Sequence, residues 1–543
     1  MSAHSTNGRE QVVVVGAGMV GHRFVEELVT RDRGHRFDVI LVGAEEYEPY
    51  NRILLTEVLA RRFDVAALTL PQPPERVAVR RGVSAISIDR TRKAVRLDDG
   101  TAVDYDHLVL ATGASAFVPP IKGLGEEAPA HVHVLRTIDD CREVVARTVN
   151  ARHAVVLGGG VLGLEAACGL ARRGLAVTVV HLDDLLMGEQ LDAGAAGVLA
   201  QALDDLGIRV HTATSVAEVI SAYGELVAVR LTDGSVVSTD LMLVSCGVRP
   251  DIGIAADAGL STGLGITVGA DLASPDDPSV RAIGDCAEPP GGCTGLVAPG
   301  WAQAESLARL MTSAGSGFEP FETVAAQPPQ EPTLASSLAP QPPAESLPEG
   351  IRLKAAGVDL VTRGLRSSTA RSEDRVISLA DPGARRHVEV VVRGERLVGF
   401  SCLGAPRVSA SLSVAFDRRT PLPVDPATLL VPQTGPADSL AAAPEASPTL
   451  IPADATICRC NGVTKSDIQG AWDEGCQTLD DVVEATRATT GCGGCTETVC
   501  GLVDWLTTSD GADESTSQPV RNKEAPSVAG TKQQTLSGEM QPS

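Results

Sequence analysis

Two stretches of the sequence share one plan. Residues 11–29, QVVVVGAGMVGHRFVEELV, and residues 153–171, HAVVLGGGVLGLEAACGLA, each pass from an apolar run through a glycine-rich turn into a helical pattern. An apolar run of this kind before a turn reads as a buried parallel strand. Gly16, Gly18 and Gly21 form G-x-G-x-x-G in the first copy, and Gly158, Gly160 and Gly163 form it in the second. Glycines there let the backbone approach a pyrophosphate, and the helix N-terminus supplies free N–H groups and a positive dipole end. Two copies predict two dinucleotide-binding βαβ domains, the second inserted into the first. A tight turn that binds nothing is the competing explanation. Against it stands an acid where a ribose hydroxyl needs one: the strand FDVILV is followed by Gly43-Ala44-Glu45-Glu46, and Glu45 lies 24 residues after Gly21.

The chain has 543 residues, enough for three to four domains at about 150 residues each. Its net charge of −23 (46 Lys and Arg against 69 Asp and Glu) makes nucleic acid and anionic membranes poor partners. No apolar run reaches the roughly 18–20 residues of a membrane span, and the first ten residues carry no signal-peptide pattern. A cytoplasmic location is expected, and the twelve Cys are then not a disulfide framework. The sequence divides into a first nucleotide domain at 1–122 and 246–315, a second nucleotide domain at 123–245 and a Pro-rich linker at 316–350. A small α+β domain follows at 351–433, then a linker at 434–453, a Cys-bearing module at 454–506 and a tail at 507–543 expected to be disordered. Eight of the 34 prolines fall within 316–348, which is why that stretch reads as extended linker. The expected fold class is α/β: two Rossmann-like domains, a small α+β third domain and a small helical C-terminal module.

Further motifs fall in order around the first fingerprint. YDHLVLATG at 105–113 puts Thr112 and Gly113 at the end of an apolar strand, and SVRAIGD at 279–285 ends another with Gly284 and Asp285. Together these resemble the two-dinucleotide-binding flavoproteins of the pyridine nucleotide–disulfide reductase superfamily. The resemblance implies FAD at the first fingerprint, the A-T-G segment near the flavin, and Asp285 on the ribityl chain. It points the helix opening in APGWAQAES at the flavin, though Trp301 serves equally as core packing. At the second fingerprint it implies NAD(P)H, with Glu165 against the nicotinamide carboxamide; a plain helix-surface glutamate competes. The next strand, AVTVV, ends at His181, followed by Asp183 and Asp184, with no Arg or Lys for a 2′-phosphate. That favours NADH and leaves NADPH open. No Cys stands in 46–65, and Cys286 and Cys293 fit no redox-pair spacing, so a disulfide reductase of the known kinds is excluded. YEPYNR at 47–52 resembles rubredoxin- and ferredoxin-reductase-like members, which implies Arg52 near the flavin; a surface salt bridge competes.

Near the C-terminus Cys458 and Cys460 form C-x-C, and after 31 intervening residues Cys492 and Cys495 form C-x-x-C. On spacing alone, four thiolates in two pairs suit a [2Fe–2S] cluster or a structural zinc equally. ICRCNGVTKSDIQGAW and TGCGGC resemble the bacterioferritin-associated-ferredoxin-like domain, which implies the cluster. In domain order the chain resembles the N-terminal half of the assimilatory NAD(P)H nitrite reductase large subunit and the electron-transfer subunit of assimilatory nitrate reductases. That implies electron flow from NAD(P)H through FAD and [2Fe–2S] to a separate nitrate or nitrite reductase polypeptide. No catalytic acid or base is expected, because hydride passes between cofactors. A ferredoxin- or rubredoxin-reductase-like donor to another redox partner is the alternative. A redox-responsive binding module without turnover is disfavoured by the intact fingerprints.

Overall fold

Each fingerprint closes a strand–turn–helix unit because its outer glycines let two backbones touch. Gly16 has φ +115°, and a Cβ there would stand 2.1 Å from the Ala111 carbonyl oxygen; a Cβ on Gly21 would stand 2.0 Å from the Gly16 carbonyl. Gly158, with φ +121°, and Gly163 repeat this geometry against Ser245 and Gly158, each at 2.1 Å. The same physical requirement thus builds both halves of the molecule. The structure, a computed structural model, describes residues 8–125, 129–313, 350–430 except 354, 356, 420 and 424, and 451–514 except 459, 460 and 492.

In the first domain the strand order is Ala273–Ser274, Asp277–Ala282, His107–Leu110, Glu10–Val15, Phe37–Gly43, Val77–Arg81. All neighbours pair in parallel except the first two. Glu10–Val15 lies between Phe37–Gly43 and His107–Leu110, so the connections leave it in opposite directions and open a crevice beyond its C-terminal end. Val12, Val13 and Val14 are fully buried there. Helices Met19–Arg31 and Val297–Ser313 pack against the sheet, and both contribute to one core. The second domain has five parallel strands, in the order Arg209–His211, Ala176–Val180, His153–Leu157, Leu241–Val244, Val132–His133.

The third domain is an antiparallel sheet, ordered Ile351–Leu353, Leu360–Gly364, Arg396–Leu403, Arg386–Arg393, Arg375–Asp381. Helix Pro406–Arg418 covers one face. The C-terminal module holds a short ribbon, Thr456–Cys458 with Val463–Thr464, and helices Lys465–Asp473, Leu479–Thr486 and Thr496–Glu514. Two boundaries move from their expected places. Ile451 packs on the module's core and its carbonyl accepts from Lys465 Nζ at 2.9 Å, so the module begins before 454. The last helix runs past Thr507: Val503 and Leu506 are buried, and the Thr507 and Thr508 hydroxyls donate back to the Val503 and Asp504 carbonyls. The rest of the expected tail, and nearly all of both expected linkers, lie outside the described residues. Among the described residues no helix is long and apolar enough to cross a membrane.

Candidate functional site

The crevice at the end of Glu10–Val15 is lined by Gly16, Gly18, Glu45, Arg52, Thr112, Gly113, Gly284 and Asp285, all expected from sequence. Gly18 is informative. Its backbone is extended and its would-be Cβ meets only Arg52 Nη2, at 3.7 Å. The fold therefore tolerates a side chain there, and the space it leaves free is the crevice. Gly160 repeats this in the second domain, with nothing within 4 Å of its would-be Cβ. In both fingerprints the outer glycines serve the fold, and the middle one leaves a cradle at a helix N-terminus. The residues present therefore fit a pyrophosphate in each turn.

Glu45 reaches the crevice but already holds two partners. Its Oε2 accepts from the Tyr50 hydroxyl at 2.6 Å and its Oε1 from Arg52 Nη2 at 3.0 Å. Arg52 is thus held at the wall by a carboxylate and not spread over the surface. Thr112 and Gly113 are tied to the chain entering from the second domain: the Thr112 hydroxyl donates to the Asp251 carbonyl at 2.6 Å, and Asp251 N–H donates to the Gly113 carbonyl at 2.9 Å. Asp285 Oδ2 accepts from Arg136 Nη2 at 2.9 Å, and Arg136 Nε donates to the Ala114 carbonyl. Arg136 lines the crevice and was not singled out from sequence, since its partner is 149 positions away. Trp301 is not in this lining but packs directly behind it. It packs on Met19 and Leu70, and its indole N–H donates to the Met19 carbonyl at 3.3 Å.

In the second domain Glu165 is buried, 4% exposed, and its Oε2 accepts from the Thr56 hydroxyl at 2.8 Å across the domain boundary. His181 turns back to the fingerprint: Gly159 N–H donates to its Nδ1 at 3.2 Å, leaving Nε2–H to donate to the Leu185 carbonyl at 3.1 Å. Cys286 is fully buried, its thiol against the Leu110 and Ile283 carbonyls, and burial raises its pKa. This is the behaviour of a small apolar side chain and not of a redox nucleophile.

Of the four expected metal-binding cysteines, Cys460 and Cys492 lie outside the described residues. Cys458 and Cys495 come together in the module. A hydrogen bond from Cys495, with backbone donors at Asn461 and Thr489, pulls the Cys458 thiol down to about 6. A thiolate stabilised by a neighbouring thiol and by backbone N–H groups is the donor chemistry a soft metal centre needs. The turn leading to Cys495 rests on the first domain. Asn51 Nδ2 donates to the Thr490 carbonyl at 2.7 Å and to the Gly491 carbonyl, and Gly493 lies over Leu54. Arg52 and Ile53, between those two contacts, line the crevice.

Residues 10–310 match the family described as pyridine nucleotide-disulphide oxidoreductase, and residues 456–505 match the BFD-like [2Fe-2S] binding domain. The chain is 32% identical over 508 residues to the nitrite reductase [NAD(P)H] large subunit of Klebsiella oxytoca, covering 92% of this chain and 49% of that protein. It is 30% identical over 510 residues to the assimilatory nitrate reductase electron transfer subunit of Bacillus subtilis, covering 92% of this chain and 60% of that one. The chain thus spans about half the length of the curated relatives it matches. It shares its fold with the covalent putidaredoxin reductase–putidaredoxin complex, with a TM-score of 0.64 at 23% identity over 78% of this chain and 96% of that one.

Proposed function

We propose that this chain, which belongs to the pyridine nucleotide-disulphide oxidoreductase family, delivers electrons from NAD(P)H to a nitrate or nitrite reductase centre. It is an NAD(P)H oxidoreductase whose cofactors are FAD and a [2Fe–2S] cluster. The observation that carries the finer reading is the seat of the cysteine loop on Asn51 and Leu54, on either side of crevice residues Arg52 and Ile53. The relatives named above, whose names speak of nitrite and nitrate, support the acceptor class.

When bound, the nicotinamide supplies a hydride, the flavin divides its two electrons, and the cluster carries one at a time. The protein's part is placement. Gly16 and Gly21 close the turn in which Gly18 would cradle the FAD pyrophosphate, with Glu45 toward the ribose and Arg52 at the crevice wall. Thr112, Gly113 and Gly284 shape the flavin end, and Asp285, oriented by Arg136, meets the ribityl chain. Gly158 and Gly163 close the turn in which Gly160 would cradle the NAD(P)H pyrophosphate, and Glu165, already fixed by Thr56, would face the nicotinamide side. Cys458, Cys460, Cys492 and Cys495 hold the cluster. No side chain is assigned as acid or base: each NADH consumed gives NAD⁺, one proton and two electrons, and the electrons leave singly.

The visible spectrum of the anaerobically purified protein, before and after NADH, tests this. Flavin bands with cluster shoulders, both bleached by NADH, are expected, and Cys458→Ser should lose iron while retaining FAD. Zinc in place of iron would overturn the cluster route. Reduced protein that transfers electrons to a ferredoxin-type partner but to no nitrate or nitrite reductase would overturn the acceptor assignment.

A further inference from the structure

The C-terminal module has a core of its own: its buried apolar cluster draws only on residues of the module. Apart from Leu54 against Gly493, the contacts that join it to the first domain are polar. Arg487 sits just past helix Leu479–Thr486 in the left-handed region, φ +60°, and its side chain reaches the first domain. Its Nη1 meets Glu27 Oε1 at 3.0 Å and its Nη2 meets Glu26 Oε2 at 3.4 Å. Its carbonyl accepts from Asn461 Nδ2 at 2.6 Å. Asn461 Oδ1 in turn accepts from Arg23 Nη1 at 3.1 Å, and Asn461 Nδ2 lies 3.7 Å from Cys458 Sγ. Asn51, 2% exposed, closes the other side of the cysteine loop on Thr490 and Gly491. Glu27 is held in place from its own helix by Arg23 at 3.0 Å and Arg31 at 2.9 Å. Within 454–506 the module has nine acidic residues and only three basic ones, and among the described residues Arg487 is the one paired with these glutamates.

We propose that the face formed by Arg23, Glu26, Glu27 and Asn51 is the seat at which the module receives electrons, and that Arg487 is the positioning residue that holds it there. A seat made of ion pairs and carbonyl contacts, without a shared apolar core, releases more readily than a core does and weakens with salt. Partly buried charge pairs of this geometry still fix register and orientation. The proposal rests on the reading that electrons pass from the flavin to the cluster. The redox balance is that given above, with one electron crossing the seat per docking event and the acceptor drawing each electron onward.

The test uses the full chain with both cofactors, under anaerobic rapid mixing with NADH, and follows flavin bleaching and cluster reduction separately. Arg487→Glu and Glu27→Gln should keep FAD content and the rate of flavin bleaching, while cluster reduction slows about tenfold or more in Arg487→Glu. Arg487→Lys, which keeps the charge, should restore most of the rate. Raising salt from roughly 0.05 to 0.5 M should slow cluster reduction in the native chain far more than in Arg487→Glu. Solution scattering should show Arg487→Glu more extended than the native chain at low salt. Unchanged cluster reduction and scattering in Arg487→Glu would overturn the seat. If Arg487→Glu loses iron, Glu27→Gln, on the other domain, decides in its place. A native chain whose cluster NADH never reduces would instead overturn the electron route itself, and scattering alone would then decide the seat.

Discussion

Gly18 and Gly160 hold the middle place of their fingerprints, and the fold itself makes no demand for glycine at either. Both have extended backbones open to any residue, and no close contact awaits a Cβ. Gly160→Ala should therefore leave thermal stability within about 0.5 kcal/mol while weakening NADH binding about tenfold or more, because the methyl group would fill the cradle. Gly158→Ala is the opposite case. With φ +121° and a carbonyl oxygen 2.1 Å from the new Cβ, it should cost several kcal/mol and lower the yield of folded protein. Calorimetry and NADH titration on the pair separate the two roles. Spacing in the sequence finds all three glycines but cannot rank them, since the ranking depends on Ala111 and Ser245, far along the chain. Arg136 shows the same limit. Nothing local marks an arginine that reads as ordinary until Asp285 is folded against it.

The helix Met19–Arg31 follows from its sequence, yet what its faces do comes from elements that meet it later. His22 is on its buried side. Its Nε2–H donates to the Pro71 carbonyl at 2.8 Å, and its Nδ1 lies 3.4 Å from Glu26 Oε2. Burial, opposed by the Pro71 hydrogen bond and reinforced by Arg487 and Arg23, lowers its pKa to about 4. The folded protein thus keeps His22 neutral where the unfolded chain, titrating near 6.5, takes a proton. Its contribution to stability is whole above 6.5 and is lost as pH falls toward 4, by roughly 3 kcal/mol. Melting temperature measured across that window should fall, and His22→Gln should flatten the slope there while leaving any steeper carboxylate-driven loss below it. The three helices that open with Thr and Asp three residues apart, at Thr137, Thr464 and Thr478, are fully capped at both donors. That local chemistry is legible in sequence because its partners are three residues apart.

At the scale of the whole molecule, the sequence shows where domains begin and not how they meet. The strand HVEVVV of the third domain reads as alternating, and it does alternate: Val388, Val390 and Val392 enter that domain's own core. His387 and Glu389, from the other face, are buried at the seam with the second domain, beside Asp192, which caps helix Ala193–Asp205. Around them the seam is tied by Arg385 to Asp205 at 2.6 and 2.8 Å and by Arg366 to the Gly188 carbonyl at 2.7 Å. A polar residue in a strand signals exposure until another domain covers it, so period alone could not place Glu389 inside. Burial, eased by the Ser367 N–H and reinforced by the charge of Asp192, raises the Glu389 pKa above its ordinary 4.5. A raised carboxyl favours the protonated form in the folded state, so its share of stability is present below 4.5 and is lost as pH rises through the folded value. Glu389→Gln keeps an acceptor for Ser367, offers Asp192 a donor and removes the charge. The variant should therefore melt higher than the native chain at neutral pH, with the gap closing as pH falls toward 4.5. A variant that melts lower at neutral pH would overturn this reading of the seam.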